Sequence, residues 1–172
     1  MESTLSIQSI KSSIIIAAMK TLDRDTANEL ILQYNGSTRF IHLSNDAYAF
    51  TIGLMREAWM RYGNVTGLWR TGWLLKTGVE GQEVPQQIID AGWKAIELAA
   101  KLGLAQAEFD MFYRTLDEDS LLFDESSLFW LEKAVLHGDL LACRWLILIY
   151  QAQYQFGAET LAMATAKINE LG

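Results

Sequence analysis

Three glycines with helical sequence on both sides limit what this chain can fold into. Gly63, Gly103 and Gly138 lie 40 and 35 residues apart, and each is followed four positions later by a small residue: Gly67, Ala107 and Ala142. Glycine supplies the left-handed backbone conformation that ends a helix. A small residue in the first turn of the next helix lets two antiparallel helices approach closely. Because a period of 20 to 50 residues is typical of repeat architectures, the pattern predicts an array of helix–turn–helix units.

The clearest unit runs from Ser127 to Gly157. Apolar residues recur at helical spacing on both sides of its turn, at Leu128, Leu131, Ala134 and Val135 and at Ala142, Trp145, Leu146, Ile149 and Tyr150. The turn itself is His137-Gly138-Asp139. We expect Gly138 to end the first helix, Asp139 to cap the second and Ala134 to face Ala142.

Two earlier units follow the same plan. The first begins at 44–46, turns at 63–64 and ends at 77–78, and the second begins at Pro85, turns at Gly103 and ends near 116. An alanine lies four residues before the turn glycine in the second and third units, at Ala99 and Ala134. In the first unit Trp59 takes that place and the alanine is displaced to Ala58.

These observations predict an all-α fold, a short α/α solenoid of antiparallel helix pairs. We expect one domain over residues 1–172, with an N-terminal helical segment over 1–43, helix pairs over 44–78, 85–116 and 125–157, and a capping helix over 158–172.

The third unit carries a family resemblance. The run 130–135 (WLEKAV), followed by Gly138, Ala142, Leu146, Tyr150 and Gly157, resembles a Sel-one-like repeat, a relative of the tetratricopeptide repeat. The second unit keeps Ala99, Ala100, Gly103 and Ala107 but has Phe112 and Thr115 where glycine and tyrosine are usual, and the first keeps little beyond its glycines. The resemblance implies a solenoid that works by binding other proteins.

Composition and charge narrow the function classes. Hydrophobic residues make up 51% of the chain and charged residues 20%, with a single proline, which is typical of an ordered helical protein. The net charge of −7 argues against a nucleic-acid partner, because phosphate binding needs a basic field. The apolar run 14–18 is much shorter than the roughly 20 residues of a membrane helix. We therefore expect no membrane association and a cytoplasmic location.

Residue chemistry gives little support to catalysis. The two histidines, His42 and His137, have no cysteine or histidine at metal-ligand spacing, and Cys143 follows His137 by six residues, which places them on different helix faces. A phosphate-binding glycine loop and a nucleophile elbow are both absent from the sequence. We expect no catalytic residues, no metal and no cofactor, structural histidines, and a buried apolar role for Cys143.

Six tryptophans need an explanation. Trp93, Trp130 and Trp145 fit buried seams between helices. Trp69 and Trp73 share one helix face close to arginines 61 and 70. Two interpretations stay open for that face: core packing, or a recognition surface, since tryptophan and arginine are enriched in binding hot spots.

Charge is distributed unevenly along the chain. Residues 79–125 contain eleven acids and three bases, a net charge of −8, whereas 47–78 contain four bases and one acid. A solvated face is the simplest explanation, and a docking surface for a basic protein is the more specific one. On the second interpretation the partner-binding residues are Glu108, Phe109, Asp110, Tyr113, Asp117, Glu118, Asp119, Asp124 and Glu125, with Trp69 and Trp73 as a second candidate face.

The sequence thus favours a non-catalytic protein–protein interaction module whose partner presents a basic surface. A role consistent with the family resemblance and the acidic charge is that of a bacterial immunity protein, which neutralises a cognate toxin delivered by a type VI or contact-dependent system. One alternative is an adaptor or regulatory scaffold in a signalling or secretion complex. A pocket that joins His42 to carboxylates would instead favour a helical hydrolase.

Overall fold

The computed structural model of the chain describes residues 44–116, 125–151 and 158–170, together with the helical residue Asp25. These residues form helices without a strand, which confirms the predicted all-α class. The helices are α1 (Asn45–Tyr62), α2 (Val65–Thr77), α3 (Gln86–Lys101), α4 (Ala105–Thr115), α5 (Glu125–Leu136), α6 (Leu140–Gln151) and α7 (Ala158–Asn169). Apart from Asp25, the predicted N-terminal segment 1–43 lies outside the described residues, as do residues 117–124.

The chain divides into two compact units, Met1–Ile96 and Glu97–Gly172, and the division falls inside α3. That all helix pairs belong to one domain stays a prediction.

In the first unit, α1 and α2 form a hairpin around Leu54, Met55, Ala58 and Leu74. Helix α2 also approaches the first half of α3 closely. A Cβ atom added to Gly72 or to Gly92 would lie 2.6 Å from the carbonyl oxygen of the other glycine. Only glycine at both positions permits this distance between the two backbones.

In the second unit, α4 packs against α5, α5 and α6 form a hairpin, and α7 packs against both of them. The core combines Phe109 and Phe112 of α4 with apolar residues of the later helices, namely Leu131, Ala134, Val135, Ala142, Cys143, Leu146, Ile149 and Ala164. Trp130 and Trp145 are partly buried against this core, and the Trp145 ring meets Phe112 edge-on at 5.7 Å between ring centroids. Both tryptophans lie in seams between helices, as predicted.

The turns between paired helices follow the predicted plan. Gly103 and Gly138 have φ values of 87° and 89°, and the residue after each glycine donates its N–H to the carbonyl of the predicted alanine, Ala99 or Ala134. This is the hydrogen-bond pattern of a Schellman cap. The alanines at the two turns are buried, as are Ala107 and Ala142 in the following helices.

The first turn is one residue wider. Gly63 has a φ of 65°, and the N–H of Asn64 donates to the carbonyl of Ala58, six residues earlier instead of five. Ala58 therefore occupies the same structural position as Ala99 and Ala134. The displacement of the alanine in the sequence reflects the wider turn.

Side-chain caps complete two of these turns. The Asp139 carboxylate accepts the N–H of Ala142 at 2.8 Å, as expected, and the Asn64 side chain accepts the N–H of Gly67 at 2.9 Å. Leu104 occupies the equivalent position before α4 and has no group that could do this. Ser44 precedes α1 but makes no capping hydrogen bond through its side chain.

Candidate functional site

The acidic docking surface was predicted to include Glu108, Phe109 and Asp110, and this part of the prediction is wrong. The three residues are buried, with exposed fractions of 0%, 6% and 5%. Residues 107–112 are all buried, and six consecutive positions span more than one helical turn. This stretch of α4 is therefore enclosed around its whole circumference.

The rest of the predicted surface is divided between exposed residues and residues that are not described. Tyr113 is 55% exposed at the end of α4, and Glu125 is exposed at the start of α5. Asp117, Glu118, Asp119 and Asp124 lie outside the described residues. As a binding site for a basic partner, these residues stay a prediction.

Glu108 is instead one half of a contact between two turns. One of its carboxylate oxygens, Oε2, lies 2.7 Å from Nδ1 of His137, and the Glu108 side chain is fully buried while that of His137 is 45% exposed. The other oxygen, Oε1, is buried and has no hydrogen-bond partner among the described residues. A Cβ atom on Gly103 would lie 3.7 Å from Cε1 of His137, so the turn before α4 lies beside the turn before α6. His137 therefore joins these two turns through a partner that sequence reasoning did not identify.

The tryptophan face of α2 also differs from an exposed recognition surface. Trp69 is only 2% exposed, and the fully buried guanidinium of Arg70 lies 5.7 Å from the centroid of its ring. Of the two interpretations left open for Trp69, core packing is the correct one, and its assignment as a partner-binding residue is wrong.

Trp73 is partly buried and takes part in a contact between α2 and α3. The ammonium nitrogen of Lys76 lies 3.9 Å from the centroid of the Trp73 ring and 3.3 Å from that of Trp93. A cation between two indole rings is held by the negative faces of both. The rings of Trp73 and Trp93 thus hold the ammonium group of Lys76 between α2 and α3.

Cys143 is buried, as predicted. Burial raises the pKa of its thiol, and the nearby negative charge of Asp139 raises it further. Since the thiolate is the reactive form, this cysteine is a poor nucleophile.

Exposed apolar side chains of the second unit are a feature that the sequence reasoning missed. They come in pairs at helical spacing, so that both members of a pair lie on one helix face: Leu98 with Leu102, Phe129 with Leu136, and Leu141 with Leu148, all between 43% and 59% exposed. The signal was available, because each apolar pair lies outside the stripe that the repeat assigns to the core.

The described residues contain no group of three or more histidine, cysteine, aspartate or glutamate residues arranged to hold a metal ion. Within the same part of the chain, every helix is too short or too polar to cross a membrane.

Comparison of the chain with protein-family models, with curated proteins and with solved structures finds no match. Membership of the Sel-one-like family therefore stays a prediction that rests on the residues named above.

Proposed function

We propose that this protein is a non-catalytic protein–protein interaction module. The observation that carries the proposal is the set of exposed apolar pairs on α3, α5 and α6. These side chains are 43% to 59% exposed, so about half of their apolar surface stays in contact with water. Covering this surface with a partner protein stabilises the complex by roughly 25 cal/mol per Å² of apolar surface removed from water.

The partner is a protein with a basic surface. The whole chain carries a net charge of −7, and several acids of the 79–125 span are exposed, among them Glu80, Glu83, Asp90 and Glu125. Such a field speeds association with a positively charged partner, while apolar contacts supply most of the affinity.

The more specific role that we propose is that of an immunity protein, which binds the catalytic or pore-forming domain of a secreted bacterial toxin and so prevents self-intoxication. Its support is the family resemblance of the third unit and the acidic charge, both of which come from the sequence. An adaptor in a signalling or secretion complex is distinguished from it by stoichiometry, because an inhibitor forms one tight complex whereas an adaptor binds several proteins weakly.

Co-purification of the tagged full-length protein from the organism that encodes it tests the proposal. We expect one partner in a stoichiometric amount, and growth arrest when that partner is expressed without this protein. In the purified complex, the Phe129→Ser and Leu136→Ser double substitution should weaken binding by at least tenfold, the scale of a hot-spot loss. The single Met163→Ser substitution, at another exposed apolar residue on α7, serves as the control.

The electrostatic part has a test of its own. Asp117→Asn, Glu118→Gln and Asp119→Asn together should slow association and flatten its dependence on salt. A matched loss of three exposed charges elsewhere, at Asp25, Asp46 and Glu170, should have a smaller effect. If both triple variants associate equally fast, the 117–119 acids have no special part in steering. If no stoichiometric partner is found, the interaction function itself is wrong.

A further inference from the structure

A groove lies along the first hairpin, within the first unit. Its volume is about 940 Å³, and residues of both α1 and α2 line it: Tyr48, Ala49, Ile52, Gly53, Arg56, Glu57, Trp59, Met60, Thr71 and Leu75. Most of these side chains are apolar or small. All of these described lining residues belong to the first unit.

Helix α1 has two apolar faces. One face is buried in the hairpin, and the other lines the groove. Thr51, Leu54, Met55 and Ala58 are the buried residues of α1. Ala49, Ile52, Gly53, Arg56 and Met60 recur every three or four residues and so share a different face. Along this face the side chains are small at one end and large at the other, where Met60 is 66% exposed. A ridge of side chains from another helix fits such a depression.

Among the described residues that line the groove, Arg56 is the one cation. Arg56 is exposed and forms no ion pair or hydrogen bond with any residue that the structure describes. Glu57, the acidic residue of the lining, is already engaged in an interaction within the chain. The lining therefore combines apolar side chains with a guanidinium, whose planar donors match a carboxylate.

We infer that this groove binds an amphipathic helix of a partner protein, one that lays apolar side chains at i, i+3 or i+4 and i+7 into it and places an aspartate or glutamate against Arg56. This deepens the proposed function, since it names a second surface and the chemistry of the segment that it takes. Recognition of an amphipathic helix in an apolar groove needs those two elements, spaced anchors and one polar contact that fixes the register.

A synthetic helical peptide tests the inference on the full-length protein. The probe carries leucines at the stated spacing and one glutamate at the edge of its apolar face; a second probe has lysine in place of glutamate, and a third has the composition of the first in scrambled order. Fluorescence anisotropy should show binding of the glutamate peptide, at least tenfold weaker binding of the lysine peptide, and none of the scrambled one.

Two variants and a control locate the site. Arg56→Glu should reverse the preference between the glutamate and lysine peptides, and Met60→Asp should weaken both, because it puts a charge into the apolar lining. Arg61→Glu is the matched control: Arg61 is a second exposed arginine on α1 that does not line the groove, and its replacement should leave the preference unchanged. Equal binding of the three peptides, or a preference that survives Arg56→Glu, would overturn the inference.

The native occupant is identified by a photo-crosslinking residue at position 60 of the complex isolated from the host. A cross-link to an acid-bearing helix of the partner supports the inference. A cross-link to a second copy, or to residues 1–43 of the same chain, would overturn it and assign the groove to self-association or to the fold. A complex whose affinity is unaffected by Arg56→Glu and Met60→Asp would refute the groove while leaving the interaction function intact.

Discussion

The first and the last hairpins are built on the same kind of turn but differ in how closely their helices approach. In the last hairpin, the N–H of Asp139 donates to the carbonyl of Ala134, five positions earlier in the chain, and the small residue of α6 is Ala142. In the first hairpin, the N–H of Asn64 donates to the carbonyl of Ala58, six positions earlier, and the small residue of α2 is Gly67. A Cβ atom on Gly67 would lie 2.6 Å from the carbonyl oxygen of Met55. What the hairpins share is thus a hydrogen bond to a buried alanine, while the sequence distance to that alanine and the closeness of the helices vary.

The position five residues after the turn glycine sharpens the comparison. Leu68, Glu108 and Cys143 occupy it in the three units, and all three are buried, at 6%, 0% and 0% exposure. In two units the side chain is apolar, and in the middle unit it is a carboxylate that meets His137 of the next turn. The middle unit therefore has a polar contact between turns at the position where the other two units have a buried apolar side chain.

The largest effect is expected from filling the space between paired helices. Ala142→Leu should cost roughly 1–3 kcal/mol of the free energy of unfolding, because a fully buried alanine leaves no room for a larger side chain. Ala107→Leu should do the same in the middle pair. Urea denaturation measures both, with Ala91→Leu at an exposed position of α3 as the control. Equal midpoints for Ala142→Leu and the control would contradict the close packing.

Removal of the histidine from the contact between turns comes next. His137→Ala should cost about 1–2 kcal/mol, since it leaves a buried carboxylate without its partner, and the cost is limited because the imidazole site is half open to water. Glu108→Leu restores the apolar character that Leu68 has in the first unit. The loss of unfolding free energy in the double variant should therefore be smaller than the sum of the two single losses, by at least about 0.5 kcal/mol. Additive single changes would mean that the 2.7 Å contact contributes no coupling.

A reciprocal exchange tests the difference in helix approach. Gly67→Ala should destabilise the chain by about 1 kcal/mol, since the clash with the Met55 carbonyl outweighs the better helix propensity of alanine. Ala142→Gly should also cost about 1 kcal/mol, but for the opposite reason, the conformational freedom of glycine in the unfolded chain. Thermal unfolding measures both. A rise in Tm for Gly67→Ala would show that the first hairpin is no tighter than the last.

The comparison also explains how far the sequence could be interpreted. Turn glycines, caps and helical spacing depend on neighbours in the chain, and for this reason the bounds of α1 to α7 and the burial of Ala99, Ala134 and Ala142 were predictable. The prediction for Glu108 was wrong because acidity was taken as a sign of exposure. The repeat register alone aligns Glu108 with Cys143, which was expected to be buried, so the error could have been avoided.

Other features could not be obtained from the sequence. The pairing of Glu108 with His137 joins residues 29 positions apart, and the sequence does not tell which turns lie side by side. The groove on α1 depends on the same kind of information, because its residues look like an ordinary apolar stripe until the opposite stripe is known to be buried. The acids at 117–119 lie outside the described residues, and their role stays a prediction.

The smallest effect is expected from the missing cap of the middle turn. Leu104 has φ and ψ of −79° and 111°, close to the −72° and 106° of Asn64, so its backbone already has the conformation of a capping residue. Leu104→Asn would supply the acceptor that Asn64 and Asp139 supply in the other turns, but it also removes a partly buried apolar side chain. Leu104→Ala removes that side chain without adding an acceptor. The asparagine variant should therefore be more stable than the alanine variant by about 0.5 kcal/mol, the lower end of the range for an N-cap, as measured by the difference in their urea midpoints. Equal stability of the two variants would mean that the first turn of α4 gains nothing from a cap, and that the middle turn differs from its neighbours in more than one side chain.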